Sequence, residues 1–141
     1  MYAARAGLVT FVGADLPGAG KAQTLKRGAS LPKGLGPGGV MVYVRHEAGT
    51  ETRYLHLADY YVQSGDRVVA GDVIGAVGRT GFRPDSSTAA HLHFEWRKGG
   101  VAVDPLPELA GARARPLELG LLAAGLLSVA ALVGLAVGAL A

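Results

Sequence analysis

The sequence predicts a mostly β fold, an antiparallel sheet or small β-sandwich, followed by one C-terminal transmembrane α-helix. Three observations carry this. Short runs of β-branched and aromatic residues recur between Gly, Asp and Pro punctuation. Glycine is abundant, at 22 of 141 residues, and sits mostly at turn spacings. Residues 119–141 contain no charged side chain, and Ser128 is their only polar one.

The expected strands are 8–12, 39–46, 52–57, 67–69, 73–77 and 91–97. Each alternates or runs in β-formers and ends at Gly, Asp or Pro. His46 to Thr50 reads as a hairpin turn between two of them, and His46 is expected to be structural. Gly65-Asp66 and Gly71-Asp72 are turn dipeptides, each followed by β-branched residues. Residues 17–39 are rich in Gly, Pro and Lys and read as a long loop or insertion. Nothing before Leu117 sustains a helical period. The expected organisation is therefore a β domain over 1–109, a linker over 110–116 and a membrane helix over 117–141.

A span needs about 20 apolar residues at about 1.5 Å each, and the uncharged run supplies 23. A domain of this size could hardly bury such a helix on every side. Gly134 and Gly138 are spaced to let two helices approach closely, so a helix–helix dimer is a conceivable partner arrangement. Arg113 and Arg115 precede the span and nothing basic follows it, a bias that would place the domain in the cytoplasm.

Composition narrows the chemistry. The net charge of +3 is mild, and no basic stripe is interleaved with aromatics. This argues against nucleic-acid binding and suits weak attraction to an anionic wall or lipid surface. The absence of cysteine excludes disulfides, thiolate zinc sites and cysteine nucleophiles. The first 13 residues lack the features of a signal peptide.

The histidines carry the candidate chemistry. On a strand, His91 and His93 would share a face, because side chains i and i+2 point the same way. Leu92 and Phe94 would turn into the core, and Glu95 would return to the histidine side, where a carboxylate orients an imidazole. Tyr54 and His56 repeat the pattern, with Leu55 and Leu57 expected to face inward. His56 would then meet His91 and His93 across adjacent strands.

Longer motifs point to a family. Tyr54-Leu-His56-Leu is followed by the Gly65-Asp66, Gly71-Asp72 and Gly78-x-Thr80-Gly81 turns. His91-Leu-His93-Phe94-Glu95 and Asp104-Pro105 come next. With Tyr2-Ala-Ala and Gly7-x-Val9, this pattern covers most of residues 1–109 and resembles the lysostaphin-type (LytM-like) zinc metalloendopeptidases. The resemblance implies a β-sheet fold, an extracytoplasmic setting in bacteria and cleavage of peptide cross-bridges in peptidoglycan. It makes His93 a zinc ligand, His91 the catalytic histidine and His56 the second active-site histidine. Glu95 and Tyr54 would be supporting residues.

Two departures from the family pattern stand out. The family's other two ligands, a His and an Asp four residues apart, would precede Met1. The chain is thus expected to be the C-terminal part of a longer zinc peptidase. The alternative is a non-catalytic member that binds wall or regulates other hydrolases. The stretch 82–90 is longer than the pattern and would enlarge a loop beside the site. A biotinyl- or lipoyl-carrier reading of 65–81 fails for want of a lysine at the hairpin tip.

Overall fold

Apolar side chains along Gly7–Asp15 make β1, the longest strand, which carries a bulge between Val9 and Phe11. Val9, Val12 and Ala14 are its buried members. The computed structural model describes residues 1–18 and 20–113. β2 (Ala22–Thr24), β3 (Val40–Arg45), β4 (Thr50–Leu55), β5 (Leu57–Tyr60), β6 (Arg67–Val68), β7 (Gly75–Val77), β8 (His93–Lys98) and β9 (Val101–Val103) follow. The principal sheet runs β2-β1-β3-β4-β8-β9, with β6 also paired to β1, and β5 and β7 form a second, two-stranded sheet. Every pairing is antiparallel.

The core lies on one face of the principal sheet. Val42, Val44, Tyr54, Leu57 and Ile74 are within a few per cent of complete burial there, and Leu92 and Phe94 pack against them. Burying each of the larger aliphatic side chains stabilises the fold by about 1.5–3 kcal/mol. The core also contains a polar chain. His46 is buried, with Nδ1–H donating to the Ala6 carbonyl at 2.8 Å and Nε2 lying 2.8 Å from Thr52 Oγ1. Thr52 Oγ1 is 3.2 Å from Tyr54 Oη, which accepts the Ala4 N–H at 2.8 Å. The His46 ring stacks on Trp96 at 5.8 Å, and the Arg5 guanidinium lies over the other aromatic system at 5.2 Å from the Trp96 centroid. These bonds tie the N-terminal segment to β4 and satisfy polar atoms that burial would otherwise penalise.

Four expectations are corrected. Residues 17–39 are not wholly loop: Ala22–Thr24 pairs with β1, and Leu25 beside it is buried at 2% exposure. Leu25, together with Leu35 packed against the core, docks this Gly-rich segment. The expected strand 52–57 is two strands, because His56 adopts a left-handed backbone, φ 63°, and breaks the ladder. With that break, Tyr54 faces the core at 1% exposure, while Leu55 is only half-buried. The side-chain alternation expected for 54–57 is therefore reversed at Tyr54 and Leu55. Last, residues 110–113 of the expected linker are helical, within α1 (Pro105–Arg113). Asp104 starts that helix by accepting the Leu106 N–H at 3.0 Å, and Pro105 takes the first helical position.

The sequence also left β9 unassigned; it pairs with β8 through a tight turn at Gly99-Gly100, both at positive φ. The membrane helix expected at 117–141 lies outside the described residues. Among the described residues, no helix is long and apolar enough to cross a membrane.

Candidate active site

Three backbone features bring the histidines together. The first is the left-handed junction at His56. Its N–H donates to the Gly38 carbonyl at 3.2 Å, and its Nδ1–H donates to the Thr80 carbonyl at 3.0 Å. A carbonyl only accepts, so this bond fixes the tautomer and leaves Nε2 as the free nitrogen. Non-glycine residues in this conformation cost on the order of 1–3 kcal/mol and persist where the surroundings impose them. Here the surroundings are Gly38 and Thr80.

Thr80 is the second feature. Its hydroxyl accepts the Val40 N–H at 2.9 Å and donates to the Leu57 carbonyl at 2.7 Å. One residue thus links β3, β5 and the His56 ring. The close approach needs glycine on both sides. A Cβ at Gly39 would collide with the Thr80 backbone, and one at Gly81, φ 88°, would lie 2.6 Å from the Pro37 carbonyl oxygen. Asp15, the only carboxylate before residue 47, is committed to this same turn, where Oδ2 accepts the Gly38 N–H at 2.8 Å.

The third feature is the approach to β8. His91 forms an isolated bridge with Gly78, its N–H donating to that carbonyl at 3.0 Å. Its Nδ1–H donates to the Ala89 carbonyl at 2.9 Å, which again leaves Nε2 free. His93 opens β8 opposite Leu55 and is exposed. Its Nε2–H donates to Glu95 Oε1 at 3.1 Å, so Nδ1 carries the lone pair. Glu95 Oε2 in turn accepts from Arg97 at 2.6 Å, and Arg97 also donates to the Gly100 carbonyl.

The His56 ring lies 5.1 Å from His91 and 5.8 Å from His93, centroid to centroid. Burial lowers the His56 pKa below its ordinary value, against the Thr80 bond, and positive charge on His91 or His93 lowers it further. The ring is therefore neutral at physiological pH. For Glu95, burial pushes the pKa up. The Arg97 and His93 hydrogen bonds outweigh that and hold the carboxyl below its ordinary value, so it is ionised beside His93.

The five residues selected from sequence thus divide. His56, His91 and His93 cluster, and Glu95 touches His93. Tyr54 does not join them, since its ring packs in the core 5.3 Å from Phe94. The cluster is also assembled differently from expectation: only His93 stands on a regular strand, while His56 and His91 are held by turns. Sequence reading passed over Thr80, Arg97 and Phe82 as site residues. Thr80 lay inside the Gly78-x-Thr80-Gly81 motif, but no local pattern pairs it with residue 40. Phe82 places its ring 4.6 Å from His56 and 5.2 Å from His91.

The implied zinc can be tested against this donor set. Catalytic zinc takes three protein ligands and keeps an open position. Among the described residues, no three His, Asp or Glu side chains are placed to share a metal ion. His93 Nδ1 offers one suitable donor. The described residues do not fit a catalytic zinc by themselves. The chemistry left to them is hydrogen bonding and proton exchange through three imidazoles.

The chain is similar to several known proteins. Stage II sporulation protein Q of Bacillus subtilis is 43% identical over 68 residues, covering 48% of this chain and 23% of that protein. The peptidoglycan DD-endopeptidase ShyC of Vibrio cholerae is 40% identical over 67 residues, covering 48% of this chain and 14% of that one. The chain thus spans less than a quarter of the length of either relative. The solved catalytic domain of lysostaphin from Staphylococcus simulans superposes with a TM-score of 0.56 at 30% identity, over 78% of this chain and 69% of that one. The profile of peptidase family M23 matches residues 1–105. The chain belongs to peptidase family M23, in its lysostaphin-type, LytM-like branch.

Proposed function

We propose that this domain recognises the peptide part of bacterial peptidoglycan and carries the proton-handling histidines of an endopeptidase site. The observation behind this reading is the convergence of His56, His91 and His93, each with one nitrogen anchored and one free. In such a site His91 Nε2 would accept a proton from an attacking water, and His56 would steady the tetrahedral oxyanion. His93, oriented by Glu95, is the residue that would serve as zinc ligand. A complete zinc set needs two further protein ligands, and the described residues do not offer them. The described residues by themselves are therefore expected to bind wall peptide without cleaving it.

Purified peptidoglycan sacculi test this directly. The chain should sediment with sacculi, and soluble wall peptides should not be released with or without added zinc. Failure to sediment would overturn the reading. A second reading, hydrolysis by this chain alone, is favoured by the free Nε2 of His91. Zinc-dependent release of wall peptides that is lost in His91→Ala would establish it.

Residues 117–141 are proposed as a membrane anchor, from their length and lack of charge. An extracytoplasmic domain follows from a peptidoglycan substrate, although Arg113 and Arg115 favour the opposite orientation. Protease protection in intact spheroplasts distinguishes the two orientations. Cleavage of the domain by external protease is the expected result.

A further inference from the structure

The loop at 82–90 holds the His91 ring through the Ala89 carbonyl, and its first residue touches two of the three histidines. Two clefts meet at Gly81, Phe82 and Arg83. One, of about 500 Å³, is walled mainly by Leu31, Pro32, Leu35, Pro84 and the Phe82 ring. The other, of about 580 Å³, adds Pro37, Asp85, Ser86 and Ser87. Both fall in the range of roughly 300–1,000 Å³ typical of clefts that hold small ligands. The apolar cleft suits a small aliphatic side chain. Arg83 lines both clefts. Arg83 pairs with Asp85 at 3.2 Å, but their side chains are 85% and 72% exposed. Exposed pairs of this kind contribute little. The guanidinium is therefore able to exchange Asp85 for a ligand carboxylate, which it can hold through two parallel bonds.

From this geometry we infer that Phe82 and Arg83 form a two-part subsite that selects the peptide presented to His56 and His91. The ligand class is a short peptide carrying a small aliphatic side chain next to a free carboxylate. The side chain packs against Phe82, and the carboxylate meets Arg83. This rests on the wall-peptide reading above and adds a specificity to it. The subsite is held in place by Gly81, whose backbone is pinned against residues 36–39.

The test titrates the full chain with an alanine-terminated tripeptide bearing a free C-terminal carboxylate, and with the same peptide as its C-terminal amide. Binding is read by calorimetry and by amide NMR shifts. The acid should bind about two- to fivefold more tightly, the size expected for an exposed charge pair. Arg83→Gln should erase that preference, bringing the acid's affinity to about that of the amide. Phe82→Ala should weaken both peptides about equally, with amide shifts altered only around residues 56 and 80–91. Equal affinity of the wild-type chain for acid and amide, or an intact preference in Arg83→Gln, would overturn the inference. If the chain sediments with sacculi but shows no preference, the subsite is wrong and the wall-peptide reading stands. If it binds neither sacculi nor peptide, both fall.

Discussion

His46 and the His56–His91–His93 cluster are two ways of housing histidine in one small fold. His46 has a protein partner for both ring nitrogens and stacks on Trp96. Each histidine of the cluster has one nitrogen bonded within the chain. In the first setting the imidazole is a structural bracket between the N-terminal segment and β4. In the second it is oriented but unspent. The comparison teaches that burial does not separate the two roles, since His46 is 5% exposed and His56 only 8%. The separating feature is how many of the ring's hydrogen bonds the fold itself consumes.

The largest test of this contrast is truncation at each place. His46→Ala removes a buried ring and leaves the Ala6 carbonyl and Thr52 hydroxyl short of a partner. A loss of about 2–4 kcal/mol is expected from the cavity and the unpaired groups together. His56→Gly should cost far less, because glycine accepts the left-handed backbone that histidine endures. Urea unfolding of both variants measures the difference. Equal losses would break the distinction between bracket and tool.

Thr80→Val comes next in size. It leaves the Val40 N–H without its acceptor and removes the bond to the Leu57 carbonyl, for an expected loss of about 1–3 kcal/mol. The His56 ring should keep its tautomer, because the group that fixes it is the Thr80 backbone carbonyl. Nitrogen-15 NMR of the imidazoles reads the tautomer separately from stability.

The pH dependence sharpens the comparison further. Burial lowers the pKa of both His46 and His56 below the ordinary 6.5. The unfolded chain then binds more protons than the native one below that value. Stability from these groups is complete above about pH 6.5 and is lost as pH falls from there toward their folded-state pKa values. The midpoint of urea unfolding should fall between pH 7 and pH 5. His46→Gln and His56→Gln should each flatten part of that slope, and a slope unchanged in both would refute the assignment.

The smallest effect is expected at Arg97. Arg97→Met removes one of two bonds holding the Glu95 carboxyl below its ordinary value, so that group should titrate at higher pH. The stability change should stay under about 1 kcal/mol, as for other partly exposed ion pairs. Carboxyl-detected NMR follows the titration. No upward movement would mean that His93 alone fixes Glu95.

Much of this was legible in the sequence, for identifiable reasons. Strand positions follow from local alternation between turn residues, and β1, β3 and β8 lie close to where that pattern puts them. The three histidines were singled out by spacing and by resemblance to a family. What escaped were features set by contacts between distant segments. The break at His56 depends on Gly38 and Thr80, which are 18 and 24 residues away in the chain. Alternation assumes an unbroken strand, so it placed Tyr54 beside His56 and left Leu55 in the core. β2 was hidden because its three residues are all exposed and show no apolar alternation; only the neighbouring Leu25 is buried. The helix at Pro105–Arg113 was missed because no apolar period marks it; only the Asp-Pro start does.

The anchored junction at Thr80 and Gly81 has a consequence for how such a domain diversifies. Everything on the histidine side of that junction is fixed by backbone contacts to residues 36–40. Everything beyond it, from Phe82 to the bridge at His91, is a surface excursion that returns to the sheet at a second fixed point, the Gly78 carbonyl. Between Arg83 and Thr88, residues can be inserted or exchanged without removing the Thr80 and Ala89 carbonyls that hold the His56 and His91 rings. The fold thereby separates what it does from what it accepts, and selection can rewrite the second while leaving the first untouched.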